Sequence, residues 1–309
     1  KRGKINLLVA ARSQIWSMSR LAAKVVVVMG CCFYDGREHR FSNYAITDVL
    51  EMVGRAGRAG VDKSARCVLM CHKPKKTYFQ TLVHTPIPVE SHLDHVLHNT
   101  FCAEVVSKTI TNKQEALDYL TWSFMYRRLT QNPNYYNLMG TTDEEVSDHL
   151  SELVESTLND LVESKCIEIV DEMTVAPLQF GMIASYYNVQ YTTIELFASS
   201  LTANSTFRGL LEVLSASSEY EALAMRHKED RALQKLISHS PDVKINRPDW
   251  SEPHTKVHAL LQLYFSRTPL SSVDLQSDLK EILGKILNLV RAMVDVISSN
   301  GWLRAQIGR

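Results

Sequence analysis

The chain holds 309 residues, 45% hydrophobic and 22% charged, with no formal net charge. This is an ordinary globular balance, and the chain is long enough for two or three separate cores. Its longest apolar run, around Val25–Met29, falls far short of the roughly 20 residues a membrane-spanning helix needs.

The zero net charge conceals an asymmetry. Residues 1–90 carry 15 Lys and Arg against 6 Asp and Glu, and residues 91–309 carry 19 against 28. A basic front third suits a polyanion such as RNA or a nucleotide phosphate, and equally an uneven surface charge. Six cysteines at positions 31, 32, 67, 71, 102 and 166 follow no regular spacing. They read as reduced thiols of an intracellular protein and not as a disulfide framework.

In chain order, Asn6–Ala10, Lys24–Met29 and Arg66–Cys71 are short apolar runs with the character of buried parallel strands. Tyr44–Arg58 between them has helical spacing and ends in glycines. The pattern predicts the tail of an α/β sheet domain whose remaining strands lie upstream. The chain lacks an initiator Met, in keeping with a start partway through a longer protein. After Pro86 and Pro88 the pattern turns helical, over Ser91–Thr109 and Lys113–Leu129. Thr142 and Glu145 have capping-box spacing. Behind them Val146, Leu150, Leu153, Val154, Leu158, Leu161 and Val162 form one apolar face.

Cys166–Val170 and Thr174-Val175 flank the acidic Asp171-Glu172 as a short hairpin, so three helices and a hairpin predict a winged helix. From Pro177 the chain is helical, apart from a polar stretch at Ser240–Pro253. A helix at Thr255–Ser266 precedes a last long helix that Ser271 can cap and that Asn300-Gly301 closes. The expected fold class is α/β plus mainly α, in three domains: 1–87, 88–175 and 176–309.

The sharpest local motif is Glu51-Met52-Val53-Gly54-Arg55-Ala56-Gly57-Arg58. Two arginines three apart, set among small residues, can aim two planar guanidinium groups at phosphate oxygens. The alternative is a Gly/Ala-rich helix end with solvated arginines. Residues 54–60 lack the Gly-Lys-Ser/Thr ending of a Walker A loop, and no Asp-Glu-x-His box occurs. The chain alone is therefore not expected to hydrolyse ATP. His92, His95 and His98 step too far round a helix for one tetrahedral site, and Cys67 and Cys71-His72 lie along a strand, so no metal is expected.

The arginine stretch resembles motif VI of superfamily 2 helicases, Gln-x-x-Gly-Arg-x-Gly-Arg. The resemblance implies a second RecA-like domain, with Arg55 and Arg58 as arginine fingers on the γ-phosphate. Gly54, Gly57 and Glu51 then lie beside the nucleotide, Glu51 standing where the family has Gln. Upstream, Ala11-Arg12-Ser13-Gln14-Ile15-Trp16-Ser17-Met18-Ser19-Arg20-Leu21-Ala22 aligns with motif V of the Ski-type branch. It keeps the Trp and loses the first Thr, the Gly, the Asn and the Pro. Motif V couples RNA contact to nucleotide state, which makes Arg12 and Ser13 candidates for RNA contact. Its decay implies a cassette that turns over poorly or not at all.

Pro88-Val89-Glu90-Ser91-His92-Leu93 resembles the lead into the first helix of the branch's winged-helix module, and Asp118–Leu129, followed by Asn132-Pro133-Asn134-Tyr135-Tyr136, resembles the second cassette of its spliceosomal members. Ala176-Pro177-Leu178, Gly181–Tyr187 and Ser217–Tyr220 resemble its Sec-type helical bundle. Residues 272–299 correspond to the ratchet helix of that bundle.

On a helical wheel Leu275, Leu279, Ile282, Ile286, Leu289, Val290, Met293 and Ile297 share one face of that last helix. Lys280, Lys285, Asn288 and Arg291 share the other with Glu281 and Asp295. Lys280, Lys285 and Arg291 are its nucleic-acid candidates.

The resemblance implies a nuclear ribonucleoprotein component with spliceosomal proteins as partners. Small nuclear RNA and ATP with Mg would be handled by the intact helicase, and this part would serve as a regulatory pseudo-helicase module. The rival is a piece of an active Ski-type ATP-dependent RNA helicase cassette. A winged helix reading duplex DNA is disfavoured by the acidic run Glu144–Glu163.

Overall fold

Four successive valines at positions 25–28 restrict χ1 and favour an extended chain, and they open the first strand, β1 (Val25–Met29). A computed structural model describes residues 5–302 except 19–20, 36–39, 59, 86–88, 139, 227–228, 239–244, 246–247 and 271. The chain divides into two compact units, Lys1–Val89 and Glu90–Arg309.

In the first unit, β1 is followed by β2 (Cys32–Asp35), β3 (Arg40–Asn43), α1 (Ile46–Gly54), β4 (Arg66–Met70) and α2 (Lys76–His84). Strands β1 and β4 pair in parallel, with Val25 opposite Arg66 and Met29 opposite Met70. Strands β2 and β3 form an antiparallel hairpin. Val28, Cys31, Val49, Phe79 and Leu82 make the core, so α1 and α2 cover the inner face of the parallel pair. The outer face carries Val25, Val27 and Met29 at 54%, 47% and 83% exposure. Strands buried on both faces were expected. The described residues cover one face only.

The run at 6–10, expected as a strand, is irregular, and Leu7 and Val9 are more than four-fifths exposed. No described strand pairs with it, and an unpaired strand leaves its backbone groups to water. The β2–β3 hairpin and α2 were not anticipated.

The second unit opens with α3 (Leu97–Val106), α4 (Lys113–Thr121), α5 (Phe124–Leu129) and α6 (Asp143–Glu163), then β5 (Ile167–Val170) and β6 (Thr174–Pro177). The expected helix over 113–129 is broken at Trp122-Ser123. There the Ser123 hydroxyl accepts from the Tyr126 amide and starts α5 as an N-cap. Thr142 and Glu145 form the expected reciprocal capping box. On α6 Val146, Leu150, Val154, Leu158 and Leu161 are buried, with Thr157 among them, whereas Val162 is 37% exposed. The β5–β6 hairpin turns through Asp171 and Glu172 at positive φ. The Lys113 amide bonds to the Met173 carbonyl at 3.0 Å and the Val175 amide to that of Thr111 at 2.8 Å, which ties the start of α4 to the hairpin.

Helices α7 (Gln179–Tyr187), α8 (Tyr191–Ser200), α9 (Phe207–Ser215), α10 (Glu229–Ser238), α11 (Pro253–Phe265) and α12 (Val273–Ser299) follow. Gly181 on α7 is a close approach: a Cβ there would stand 2.2 Å from the Cys166 carbonyl oxygen. Without a side chain at that point α7 lies directly on the chain entering β5, and one continuous core runs from Leu97 to Val296. Helix α12 packs on α7, α8 and α11. Its core face carries Leu275, Ile282, Ile286, Leu289, Ala292, Met293 and Val296, while Val290 is 40% exposed, off the face on which the wheel put it. Ser271 lies outside the described residues and Ser272 precedes the first turn. Gly301, at φ +73°, follows the Asn300 cap.

Candidate functional site

Helix α1 delivers the arginine pair. Val49, fully buried, anchors the helix to the core. Glu51 and Arg55 lie one turn apart and are joined by an ion pair. The chain leaves the helix by pairing beside β1: the Ala23 amide bonds to the Arg55 carbonyl at 3.0 Å and the Gly57 amide to the Ala23 carbonyl at 2.9 Å. Gly57 has φ +95°, and a Cβ would meet that of Ala65 at 2.9 Å. Both its conformation and its neighbour therefore require glycine. A Cβ on Gly54 would meet nothing within 4 Å, so no steric demand for glycine arises there.

Arg58 follows directly. Its Nε and Nη2 donate to the two carboxylate oxygens of Asp62 at 2.8 and 2.9 Å, and its backbone amide donates to Oδ2 at 3.1 Å. This fork lowers the Asp62 carboxyl to about 2 and raises the Arg58 guanidinium. Arg58 stays 54% exposed and Asp62 9%. Both arginines of the motif therefore face carboxylates supplied four residues away by their own segment.

The stretch read as motif V turns inward onto the same helix. Residues 12–14 and 16–18 form two single turns of 3-10 helix. Arg12 donates through Nε to Asp48 at 2.9 Å and stacks over the rings of Phe33 and Tyr44, at 4.0 and 5.2 Å to the centroids. Trp16 donates its indole N–H to the other Asp48 oxygen at 2.9 Å. The Trp16 bond, then the Arg12 bond, holds the Asp48 carboxyl below the ordinary carboxylate range. Ser13 is exposed between them.

Asp48 and Asp62 were missed in the sequence. The spacing of Asp62 from Arg58 is the ordinary one for a helical ion pair and could have signalled it. Asp48 gave only an acid in a helix first turn.

Of the candidates on α12, Lys280 and Arg291 are exposed. Lys285 donates to the Glu219 carbonyl at 2.9 Å and lies 3.8 Å from Glu281. Asp295 accepts from the Tyr187 hydroxyl at 2.7 Å. The polar face is thus of mixed sign.

The Asn132–Tyr136 string acquires a physical role. Arg128 grips Glu90 through Nε and Nη2 at 3.1 and 2.7 Å, the Asn132 amide adds 2.9 Å and the Tyr136 hydroxyl 3.1 Å. The Ser91 amide closes the knot on Tyr136 at 2.9 Å. Glu90 is held down to about 2, by Arg128 first.

Phosphate and carboxylate accept the same guanidinium fork, so Asp62 occupies on Arg58 the geometry that a phosphate would need. Arg55, 19% exposed, is paired with Glu51. No group of three or more His, Cys, Asp or Glu able to hold a metal ion occurs among the described residues. None of the described helices is long and apolar enough to cross a membrane.

Comparison with known proteins gives these features their context. Residues 90–171 match a Winged Helix-turn-helix domain and residues 177–308 a Sec63 Brl domain. A winged helix continued into a Sec63 Brl domain is the class of protein the second unit defines. Over 301 residues the chain is 54% identical to the human U5 small nuclear ribonucleoprotein 200 kDa helicase, covering 97% of this chain and 14% of that protein. It is 51% identical over 306 residues to the protein of the same name from Drosophila melanogaster, with the same coverage. The DExH-box ATP-dependent RNA helicase DExH12 of Arabidopsis thaliana is 50% identical over 301 residues, again covering 97% and 14%. The chain belongs to this family of DExH helicases, of which it represents a C-terminal region, and it spans about 14% of the length of these relatives.

Proposed function

We propose that the chain is part of the C-terminal helicase cassette of a U5 small nuclear ribonucleoprotein helicase, and that this cassette is catalytically inactive. In this reading residues 1–87 are the end of a second RecA-like domain, 88–175 the winged helix and 176–309 the Sec-type bundle, with 272–299 as its ratchet-like helix. The intact protein unwinds the U4/U6 RNA duplex in the nucleus during pre-mRNA splicing, using ATP with Mg. This cassette regulates that activity and docks spliceosomal proteins.

The observation that carries the reading is the state of the two motif arginines: Arg58 is forked onto Asp62 and Arg55 is paired with Glu51. An arginine finger must be free to meet charge that develops on the transferred phosphoryl group. Here each one has a carboxylate of its own.

The test is single-turnover ATP hydrolysis by the complete cassette, with both RecA-like domains, in the presence and absence of RNA. The expected result is no RNA-stimulated turnover and no further loss on Arg58→Ala. RNA-stimulated hydrolysis that Arg58→Ala abolishes would establish the active-cassette alternative.

A further inference from the structure

Strands β1 and β4 run parallel, and their carboxyl ends open on a cavity of about 370 Å³ lined by Gly30, Cys31, Cys32, Cys71, His72 and Lys75 among others. Carboxyl ends of parallel strands are where α/β sheets expose reactive groups. The register sets Met29 opposite Met70, so Gly30 and Cys71 are the next pair along. Strict alternation would turn Cys31 away from Cys71. Gly30 has φ +111° and breaks the alternation. Cys31 consequently packs in the same core cluster as Cys71, and its thiol reaches the carbonyl of Met70, the residue before Cys71, at 3.4 Å. A disulfide needs Cα atoms roughly 4.4–6.8 Å apart, so closure requires Cys31, one residue past the position opposite Cys71, to come within that span of it.

We propose that Cys31 and Cys71 are a redox-active pair that closes to a reversible disulfide when the protein meets hydrogen peroxide. Cys71 is the more exposed of the two and reacts first. Its thiolate attacks one peroxide oxygen, the O–O bond breaks, and a sulfenic acid and hydroxide form, the hydroxide becoming the first water by taking up the proton that the Cys71 thiol gave up. The Cys31 sulfur then attacks the Cys71 sulfur, displacing a second water as its own proton and the hydroxide combine. Two thiols are oxidised by two electrons and one peroxide is reduced to two waters.

Burial, then Cys71 and Cys32, pushes the Cys31 thiol up and Lys75 opposes them, which suits Cys31 to the resolving step and not to the first attack. The product ties the ends of β1 and β4 with a bond that a dithiol reductant reopens.

The test is peptide mapping of the full 309-residue chain under non-reducing conditions after hydrogen peroxide treatment. A Cys32→Ser/Cys67→Ser background leaves one thiol in each of the tryptic peptides 25–37 and 67–75. The expected result is a cross-linked pair of these peptides, about 2 Da below the sum of their masses, that dithiothreitol separates. Cys71→Ala and Cys31→Ser in the wild-type background should each abolish the 25–37/67–75 cross-link while circular dichroism stays unchanged. No cross-link in the Cys32→Ser/Cys67→Ser protein would overturn the proposal, as would one that persists when either Cys31 or Cys71 is replaced.

Discussion

Trp16 donates its indole N–H to one oxygen of Asp48 while Arg12 holds the other, both at 2.9 Å. One carboxylate at the start of α1 therefore ties down the stretch that aligns with motif V, and the same helix ends in the arginine motif. Removing it should loosen both. Asp48→Ala deletes two hydrogen bonds to a charge that is 8% exposed, at a cost of about 2 kcal/mol. Hydrogen exchange over residues 46–54 should accelerate by roughly 30-fold, the factor such an energy implies. Asp48→Asn keeps an acceptor for Trp16 and loses the charge facing Arg12, so its effect should be intermediate. Because the folded carboxyl is held below its ordinary value of about 3.9, this stabilisation is present above that pH and lost as pH falls through the depressed value. Unchanged exchange in Asp48→Ala would remove the tie from the account.

Asp62 and Arg58 form a closed pair that competes with any phosphate for the same guanidinium. Asp62→Ala should therefore release Arg58. Arginine-selective labelling with an α-dicarbonyl reagent, followed by mass spectrometry, should modify Arg58 several-fold faster in the variant, with Arg55 unaffected. In the complete cassette the same substitution should tighten binding of the non-hydrolysable nucleotide analogue AMP-PNP. Equal labelling of Arg58 in both proteins would mean that the fork does not hold in solution.

Much of the fold was legible because it is written in local periodicity. The capping box of Thr142 and Glu145, the hairpin around Asp171-Glu172 and the Gly301 stop all appear where their residue types require them. What escaped was non-local or short. The β2–β3 hairpin has four-residue strands that include Asp35, Arg40 and Asn43, too brief and polar to register as alternation. The run at 6–10 has strand composition and no described partner, and composition cannot report pairing. The arginine motif was found from its spacing. Its carboxylate partners were not, because an ion pair depends on rotamers and burial that a motif does not encode. Glu90 lies within the family-like string 88–93, yet its partners Arg128, Asn132 and Tyr136 lie 38 to 46 residues away.

The Glu90 knot makes an acid-sensitive joint at the entrance to the second unit. Its carboxyl is held at about 2, by Arg128 first and Asn132 next, against an ordinary value of about 4.3. The stabilisation is full above that ordinary value and disappears as pH falls from about 4 towards 2. Urea midpoints measured at pH 7, 4 and 3 should fall steeply for the wild type. Glu90→Gln, which keeps one acceptor oxygen for either Asn132 or Tyr136 and loses the charge for Arg128, should begin lower at pH 7 and change less with acid. Parallel pH profiles for the two proteins would contradict this assignment.

Lys256 is fully buried, an unusual place for an ammonium group. Its Nζ meets Glu229 at 2.7 Å, Asp278 at 2.6 Å and the Ala224 carbonyl at 2.8 Å, while Arg226 reaches the other Asp278 oxygen at 2.8 Å. Two cations and two anions thus join α10, α11 and α12. The charges balance only together, so removing one costs more than the bonds it made. Lys256→Met leaves two carboxylates with Arg226 alone and should destabilise the second unit by about 3–5 kcal/mol. Lys256→Met combined with Asp278→Leu removes one charge of each sign and keeps Arg226 with Glu229, at 3.2 Å. This double variant should recover a substantial part of the loss, because a buried ion pair exchanged for apolar groups of similar volume is often close to neutral. A double-mutant cycle by urea denaturation reads the coupling directly. Additive losses would mean that Lys256 and Asp278 stabilise α12 independently, and the cluster would then not act as one unit.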